Sequence, residues 1–196
     1  IANAEHLAMS DGVGMINLSH FAIFDIEGPD AERLLETLSV ARVGGEKPVG
    51  SVVYTNFLTP DGGIRSDLTI CRLAASRYRV ITGGADGNRD WVWIRNHRDD
   101  GGFDADIRIR THELATLGLW GPEARSTLAA FAAKGVLEND AFPFATAREV
   151  ELTLPGGAKL PVWAARISYV GELGWELYLA NDAARALPLY DALLEA

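Results

Sequence analysis

Hydrophobic and polar positions along the chain switch repeatedly between a period of two and a period near 3.6, and the switches mark the elements. Residues 20–27, His-Phe-Ala-Ile-Phe-Asp-Ile-Glu, predict a strand rich in aromatic and β-branched side chains. Gly28-Pro29-Asp30 then opens a helix, with proline suited to the first helical position and Asp30 and Glu32 facing the positive end of the helix dipole. Ala31, Leu34, Leu35 and Leu38 form its apolar stripe. The same design returns 93 residues later: Leu117-Gly118-Leu119-Trp120 leads into Gly121-Pro122-Glu123-Ala124, and Leu128 and Phe131 take the places of Leu35 and Leu38. A strand–Gly-Pro-acid-Ala–helix unit met twice suggests an internal duplication, with repeat units near 20–110 and 116–196.

Between the two copies the pattern is mostly strand. Residues 51–58 and 64–72 pair as a hairpin around Thr59-Pro60-Asp61-Gly62-Gly63. Residues 77–82 make another strand, ending in the glycine-rich run 83–87. A helix over about 88–97, capped by Asp86, carries Trp91 and Ile94 on one face. Beyond the second Gly-Pro unit, 148–154 and 159–167 pair around Pro155-Gly156-Gly157, and 175–179 is a last strand before a final helix. Leu187, Leu189, Tyr190, Leu193 and Leu194 repeat along that helix. Hairpin-linked strands mixed with helices predict an α+β fold of two related antiparallel-sheet lobes with packed helices. The absence of an initiator methionine and of a stop signal after the final helix reads as a fragment whose C-terminal part is missing.

Composition narrows the classes. A hydrophobic fraction of 48% and a charged fraction of 23% are those of a globular chain with a sizeable core. No apolar run approaches the roughly 20 residues that span a bilayer, so no membrane association is expected. The net charge of -9 argues against nucleic acid, which calls for a basic surface. One cysteine, Cys71, excludes an intrachain disulfide and any multi-cysteine metal site, and suits a reducing compartment. His6, His20, His97 and His112 show no metal-ligand spacing, so no metal site is expected. Ser19-His20 are neighbours that a strand would point to opposite faces, and no Gly-x-Ser-x-Gly elbow, dinucleotide fingerprint or phosphate-binding loop is present.

Three segments carry a chemical signal. Asp67 interrupts an apolar strand just after a glycine hairpin, in Gly62-Gly63-Ile64-Arg65-Ser66-Asp67-Leu68-Thr69. It is either a solvated, outward-facing acid or a carboxylate aimed at a ligand, able to take a hydrogen bond or a proton. In Tyr169-Val170-Gly171-Glu172-Leu173-Gly174-Trp175-Glu176-Leu177-Tyr178 two glycines mark a tight turn into a strand that puts Glu176 and Tyr178 on one face. This is either an ordinary turn with one exposed acid, or a carboxylate that holds the amide and amino edge of a heterocycle through two parallel hydrogen bonds. The run 83–87, with Gly83 and Gly84, is a plain loop before a helix or a place where backbone approaches a flat ligand.

Taken with Ser19-His20-Phe21, Gly28-Pro29-Asp30-Ala31, Tyr54, Asp90-x-x-Trp93 and the second Gly-Pro-Glu-Ala, these segments resemble, over nearly the whole of 1–196, the folate-binding aminomethyltransferase family typified by the glycine cleavage T-protein. Ser66-Asp67, Thr82-Gly83-Gly84-Ala85 and Val170-Gly171-Glu172-Leu173-Gly174-Trp175-Glu176 are similar to the C-terminal folate domain of dimethylglycine and sarcosine dehydrogenases. The resemblance implies tetrahydrofolate in a central hole between lobes, with Tyr54, Asp67, Tyr169 and Glu176 around the pterin and the 83–84 glycines beside it. Glu176 would hold the pterin, and Asp67 would be the catalytic carboxylate. The reaction implied is transfer of a methylene unit from an N-methyl amine-derived iminium or aminomethyl donor, giving 5,10-methylene-tetrahydrofolate. Implied partners are a methylamine-type small molecule and an FAD-bearing flavoprotein domain or subunit, in the cytoplasm or, in a eukaryote, the mitochondrial matrix. Two alternatives remain on the same fold: a folate-dependent O- or S-demethylase, and a non-catalytic folate-binding accessory protein. The latter group carries a cysteine in a Lys-Gly-Cys-Tyr-type motif where this chain has Arg166-Ile167-Ser168-Tyr169.

Overall fold

The computed structural model describes residues 1–196. In chain order the elements are α1 (Ala2–Asp11), β1 (Gly14–Asn17), β2 (Ala22–Glu27), α2 (Ala31–Leu38), β3 (Val52–Leu58), β4 (Ile64–Ala74), β5 (Arg77–Thr82), α3 (Gly87–Gly101), β6 (Asp106–Ile109), β7 (Leu114–Trp120), α4 (Ala124–Ala129), β8 (Thr146–Thr153), β9 (Lys159–Arg166), β10 (Gly174–Ala180) and α5 (Ala183–Glu195). They divide into two units, one of residues 20–111 and one of residues 1–19 with 112–196. Each holds one five-stranded antiparallel sheet, ordered β3-β4-β5-β2-β6 in the first and β1-β7-β10-β9-β8 in the second. The fold is α+β.

The unit of residues 20–111 is built around the β3–β4 hairpin and the stripe of α2. Ala31, Leu34, Leu35 and Leu38 are all buried against Phe24, Ile26, Leu68, Ile70, Tyr78 and Val80 from one face of the sheet, and Ile94 of α3 closes this core. In the other unit, Leu117, Leu119, Trp175, Leu177 and Leu179 face Ala124 and Leu128 of α4 and Leu189, Ala192 and Leu193 of α5. Burial of such side chains stabilises each unit by about 1.5–3 kcal/mol apiece.

The two Gly-Pro turns are made alike. Gly28 and Gly121 both hold positive φ, +149° and +138°. A Cβ on Gly28 would lie 2.5 Å from the Asp104 carbonyl oxygen, and one on Gly121 2.2 Å from that of Gly12, so only glycine fits either place. Each turn is closed three residues on, by the amides of Ala31 and Ala124 donating to the Gly28 and Gly121 carbonyls.

Several local expectations change. Pro29 precedes the helix rather than opening it: Asp30 is the cap position, and its carboxylate accepts from the Asp104 amide at 2.9 Å. Ser19 and His20 belong to a turn, because β2 begins only at Ala22. α3 runs on to Gly101, where Gly102 in the left-handed region ends it. Asp86 stands before α3 but does not cap it, its carboxylate being drawn to Arg89 at 2.9 Å. In α5, Leu187 and Leu194 are exposed while Ala192 takes a buried place, a narrower stripe than the leucine spacing suggests. α1, β1 and β6 are additional: α1 buries no residue and the strands have four residues each, too short for a pattern to announce them.

Candidate functional site

In the unit of residues 20–111, Ser66, Leu68 and Ile70 alternate inward along β4 and leave Asp67 on the opposite, exposed face. Asp67 stands opposite Asn56 of β3, and Tyr54, two residues earlier on that strand, lies diagonally across on the same face. The Tyr54 hydroxyl donates to Asp67 Oδ2 at 3.1 Å, which fixes the carboxylate's orientation while leaving it accessible. Tyr54 itself is 63% exposed.

Behind this pair is a carboxylate with no exposure at all, Asp90 of α3. It accepts a short hydrogen bond from the Ser66 hydroxyl, another from Thr82 at 2.7 Å, and stands 3.6 Å from the Arg89 guanidinium. Arg89 also donates to the Arg65 carbonyl at 2.7 Å. Asp90 thereby ties the strand residues next to Asp67 to the end of β5, where Gly83 and Gly84 follow. Gly84 has no room for a side chain, since a Cβ would lie 2.1 Å from the His20 carbonyl oxygen; Gly83 meets only Asp86, at 3.5 Å, and keeps an open approach. Asp90 and Thr82 enter the sequence reading only within motifs of the resemblance, Asp90-x-x-Trp93 and Thr82-Gly83-Gly84-Ala85, and not as site residues.

In the other unit, Tyr169 sits in the β9–β10 connection and is 78% exposed, next to Gly171 at φ +86°. Glu176 lies in β10 between two small neighbours, Gly118 of β7 and Ala165 of β9. It is only 8% exposed. Its partner within the chain is the Tyr178 hydroxyl, which donates to Oε2 in a short hydrogen bond, and no arginine, lysine or histidine neutralises it. Burial pushes the Glu176 carboxyl above the usual carboxylate range, and the Tyr178 bond offsets this only in part. Tyr178 is braced edge-on by Trp163, with ring centroids 5.2 Å apart. Alternation along β10 puts Glu176 and Tyr178 on one face, but the hydrogen bond between them is visible only in the structure.

The structure thus brings Tyr54 to Asp67 and Tyr178 to Glu176, and sets Gly83 and Gly84 on the strand end braced by Asp90. Nowhere do three His, Cys, Asp or Glu side chains converge as metal ligands, and no helix is long and apolar enough to cross a membrane.

Comparison with known proteins gives the arrangement its context. The chain is 34% identical over 193 residues to human mitochondrial dimethylglycine dehydrogenase, covering 98% of this chain and 21% of that protein. It is 34% identical over 198 residues to an aminomethyltransferase of Herpetosiphon aurantiacus, covering 98% of this chain and 50% of that one. The crystal structure of glycine cleavage system aminomethyltransferase T from Bartonella henselae superposes with a TM-score of 0.79 at 25% identity, over 97% of this chain and 48% of that one. The chain therefore spans about half, or about a fifth, of the length of these relatives. With the GCVT N-terminal domain matched over residues 1–196, an antiparallel α+β fold shared with an aminomethyltransferase and relatives on both sides of that likeness, the chain belongs to the GCVT, or aminomethyltransferase, family.

Proposed function

We propose that this domain binds tetrahydrofolate and assists capture of a methylene unit from an N-methyl amine-derived iminium or aminomethyl donor, yielding 5,10-methylene-tetrahydrofolate. The observation that carries the reading is Glu176: a buried carboxylate with one hydroxyl donor and no cation. Such a group is costly unless a ligand completes it. A ring N–H beside an exocyclic amine, as on a pterin, offers two parallel donors and suits a carboxylate without demanding a positive charge. The donor set therefore fits the proposed ligand.

Bound tetrahydrofolate supplies the nucleophilic amine that takes up the one-carbon unit. The chain's own residues have three tasks. Glu176, oriented by Tyr178, fixes the heterocycle. Asp67, oriented by Tyr54, takes a proton from each folate nitrogen in turn as the two new C–N bonds form, passing the first to the departing donor amine and the second to the other departing group of an aminomethyl donor or, for an iminium, to solvent. The same carboxylate stabilises the cationic donor electrostatically. Positioning of the two reactants contributes at most about 7–11 kcal/mol. Tyr169, with its exposed ring, and Gly83, with its open backbone, add stacking surface and close approach. The dimethylglycine dehydrogenase and aminomethyltransferase relatives support an aminomethyl or N-methyl donor, and an FAD-bearing domain or subunit as its source belongs to the same proposal.

Calorimetric titration with tetrahydrofolate, run beside Glu176→Gln and Asp67→Asn, tests the reading. Saturable binding is expected, reduced about a hundredfold by Glu176→Gln and little by Asp67→Asn. The absence of binding by folded protein would overturn it.

A further inference from the structure

A second cavity, of about 320 Å³, opens in the unit that contains Glu176, between Phe144 and the segment from Arg166 to Gly174. Arg166 is at the end of β9 and Ala165, its neighbour, pairs with Glu176, so the guanidinium belongs to the opposite sheet face, beside Trp175. Nη1 of Arg166 donates to the Phe142 carbonyl at 2.6 Å. Its Nε is buried with no acceptor, and the hydroxyl of Ser168, on the same cavity wall, is buried and unpaired as well. Glu172 lines the cavity without pairing to either.

What remains on Arg166 is the edge formed by Nε and Nη2. The other unit shows what that edge does in this protein: Arg79 Nε and Nη2 hold the two oxygens of Asp25 at 2.7 and 2.9 Å. At Arg166 no such carboxylate is supplied by the chain. Burial first, and then nearby Arg125, disfavour the charged form of Arg166, and the Arg148 guanidinium packs over Phe142, whose carbonyl receives the Arg166 bond. The cavity thus offers an arginine edge and a hydroxyl as donors, with two unsatisfied buried polar atoms; Arg125, nearby, is paired with Glu138 at 3.4 Å, and Glu172 is the one acid on the wall. A buried donor without an acceptor is costly, so an acceptor ligand is favoured there.

We propose that this cavity is an oxyanion site, in which the Nε/Nη2 edge of Arg166 and the Ser168 hydroxyl receive a carboxylate or a phosphate group. It is separate from the Glu176 face and does not depend on folate binding. Two oxygens of either group match the fork geometry of the guanidinium edge, and a third oxygen or the second lone pair accepts from Ser168.

The test is titration of the intact protein with inorganic phosphate and, separately, with acetate, at constant ionic strength set by chloride. The Nε–Hε resonance of Arg166, assigned by its disappearance in Arg166→Lys, is followed by NMR. A saturable shift of that resonance in the millimolar range is expected with at least one of the two anions. Ser168→Ala should weaken it about tenfold while leaving the thermal transition unchanged. Preference for phosphate would mark a phosphate-bearing ligand and preference for acetate a carboxylate-bearing one. A resonance that moves with neither, or that moves equally with chloride alone, overturns the proposal. So does an undiminished shift in Ser168→Ala that remains folded, or, followed by calorimetry, undiminished anion binding in a folded Arg166→Lys variant.

Discussion

Replacing Glu176 by glutamine should make the protein more resistant to unfolding at alkaline pH, relative to acid, and the effect can be sized from the structure. Moving a carboxylate from water to a site this buried costs several kcal/mol. The Tyr178 hydroxyl returns about 1.5–3 kcal/mol as a hydrogen bond to a charged oxygen. Nothing cationic returns the rest, so a net penalty on the order of 2 kcal/mol falls on the ionised form. Because burial raises the acid's pKa in the folded state, folding binds the proton more tightly than the unfolded chain does. The stability tied to that proton is complete below the unfolded value, near 4.5, and is lost as pH rises through the higher folded value. Glutamine is neutral at every pH and has no such loss.

Urea denaturation of the two proteins at mildly acidic and mildly alkaline pH reads this directly. Glu32 titrates in the opposite sense, since the Tyr78 hydroxyl and the Gly45 amide hold its carboxyl below the usual range. Its contribution is present in both proteins and cancels in the difference. The difference in unfolding free energy should move in favour of the glutamine variant by about 2 kcal/mol from acid to alkaline conditions. A difference independent of pH, or one that moves the other way, would show that Glu176 is not a destabilising ionised group, and the main support for a ligand at that carboxylate would fall with it.

Two further substitutions probe the scaffold around the candidate residues. Asp90→Ala removes the acceptor of Ser66 and Thr82 and the ion-pair partner of Arg89 at once and should cost about 3 kcal/mol in urea denaturation; a loss below about 1 kcal/mol would mean that water replaces the carboxylate. Gly121→Ala should lower the thermal midpoint far more than Gly135→Ala, although both glycines have positive φ, because only at Gly121 does the added methyl meet backbone, 2.2 Å from the Gly12 oxygen. Equal losses of about 1–2 kcal/mol, the cost of the backbone conformation alone, would rule out close packing at that turn.

Much of the fold was legible because long periodic segments carry their own signal. The α2 stripe is buried at all four expected positions, and β5 runs from Arg77 to Thr82 as its pattern indicates. Helix ends were harder to place. Pro29 and Asp86 look like a helix opener and a cap by residue type, but the cap position of α2 falls to Asp30, and the Asp86 carboxylate pairs with Arg89 instead of capping α3. Elements of four residues with mixed exposure, such as β1 and β6, are defined by the strands they pair with rather than by their own sequence. Among the site residues, alternation correctly set Glu176 and Tyr178 on one face, while Asp67, which the sequence leaves between an outward-facing and a ligand-facing acid, lies on the exposed face of β4. What alternation cannot give is how deeply a face is covered. Asp67 and Glu176 are both acids in strands, yet one is exposed and the other nearly enclosed. Nor does it reveal which hydroxyl reaches which carboxylate, as Ser66 and Thr82 reach Asp90 from two strands.

The two sheets share one strand order, and comparing equivalent places in them separates a structural acid from one that waits for a ligand. Asp25 on β2 faces Arg79 on β5, three residues before Gly28; Gly118 on β7 faces Glu176 on β10, three residues before Gly121. In the first sheet the carboxylate is neutralised twice over, by Arg79 at 2.7 Å and Arg110 at 3.2 Å. In the second the acid stands on the partner strand, opposite a residue with no side chain, and only a tyrosine hydroxyl answers it. A buried charge left in that state weakens the fold unless something bound to the native protein completes it. The same asymmetry that makes Glu176 a liability in the free protein is therefore what a donor ligand would exploit. Under the proposed reading, tetrahydrofolate must raise the unfolding free energy of the native protein and leave that of Glu176→Gln nearly unchanged, the reverse of the order expected without it at alkaline pH.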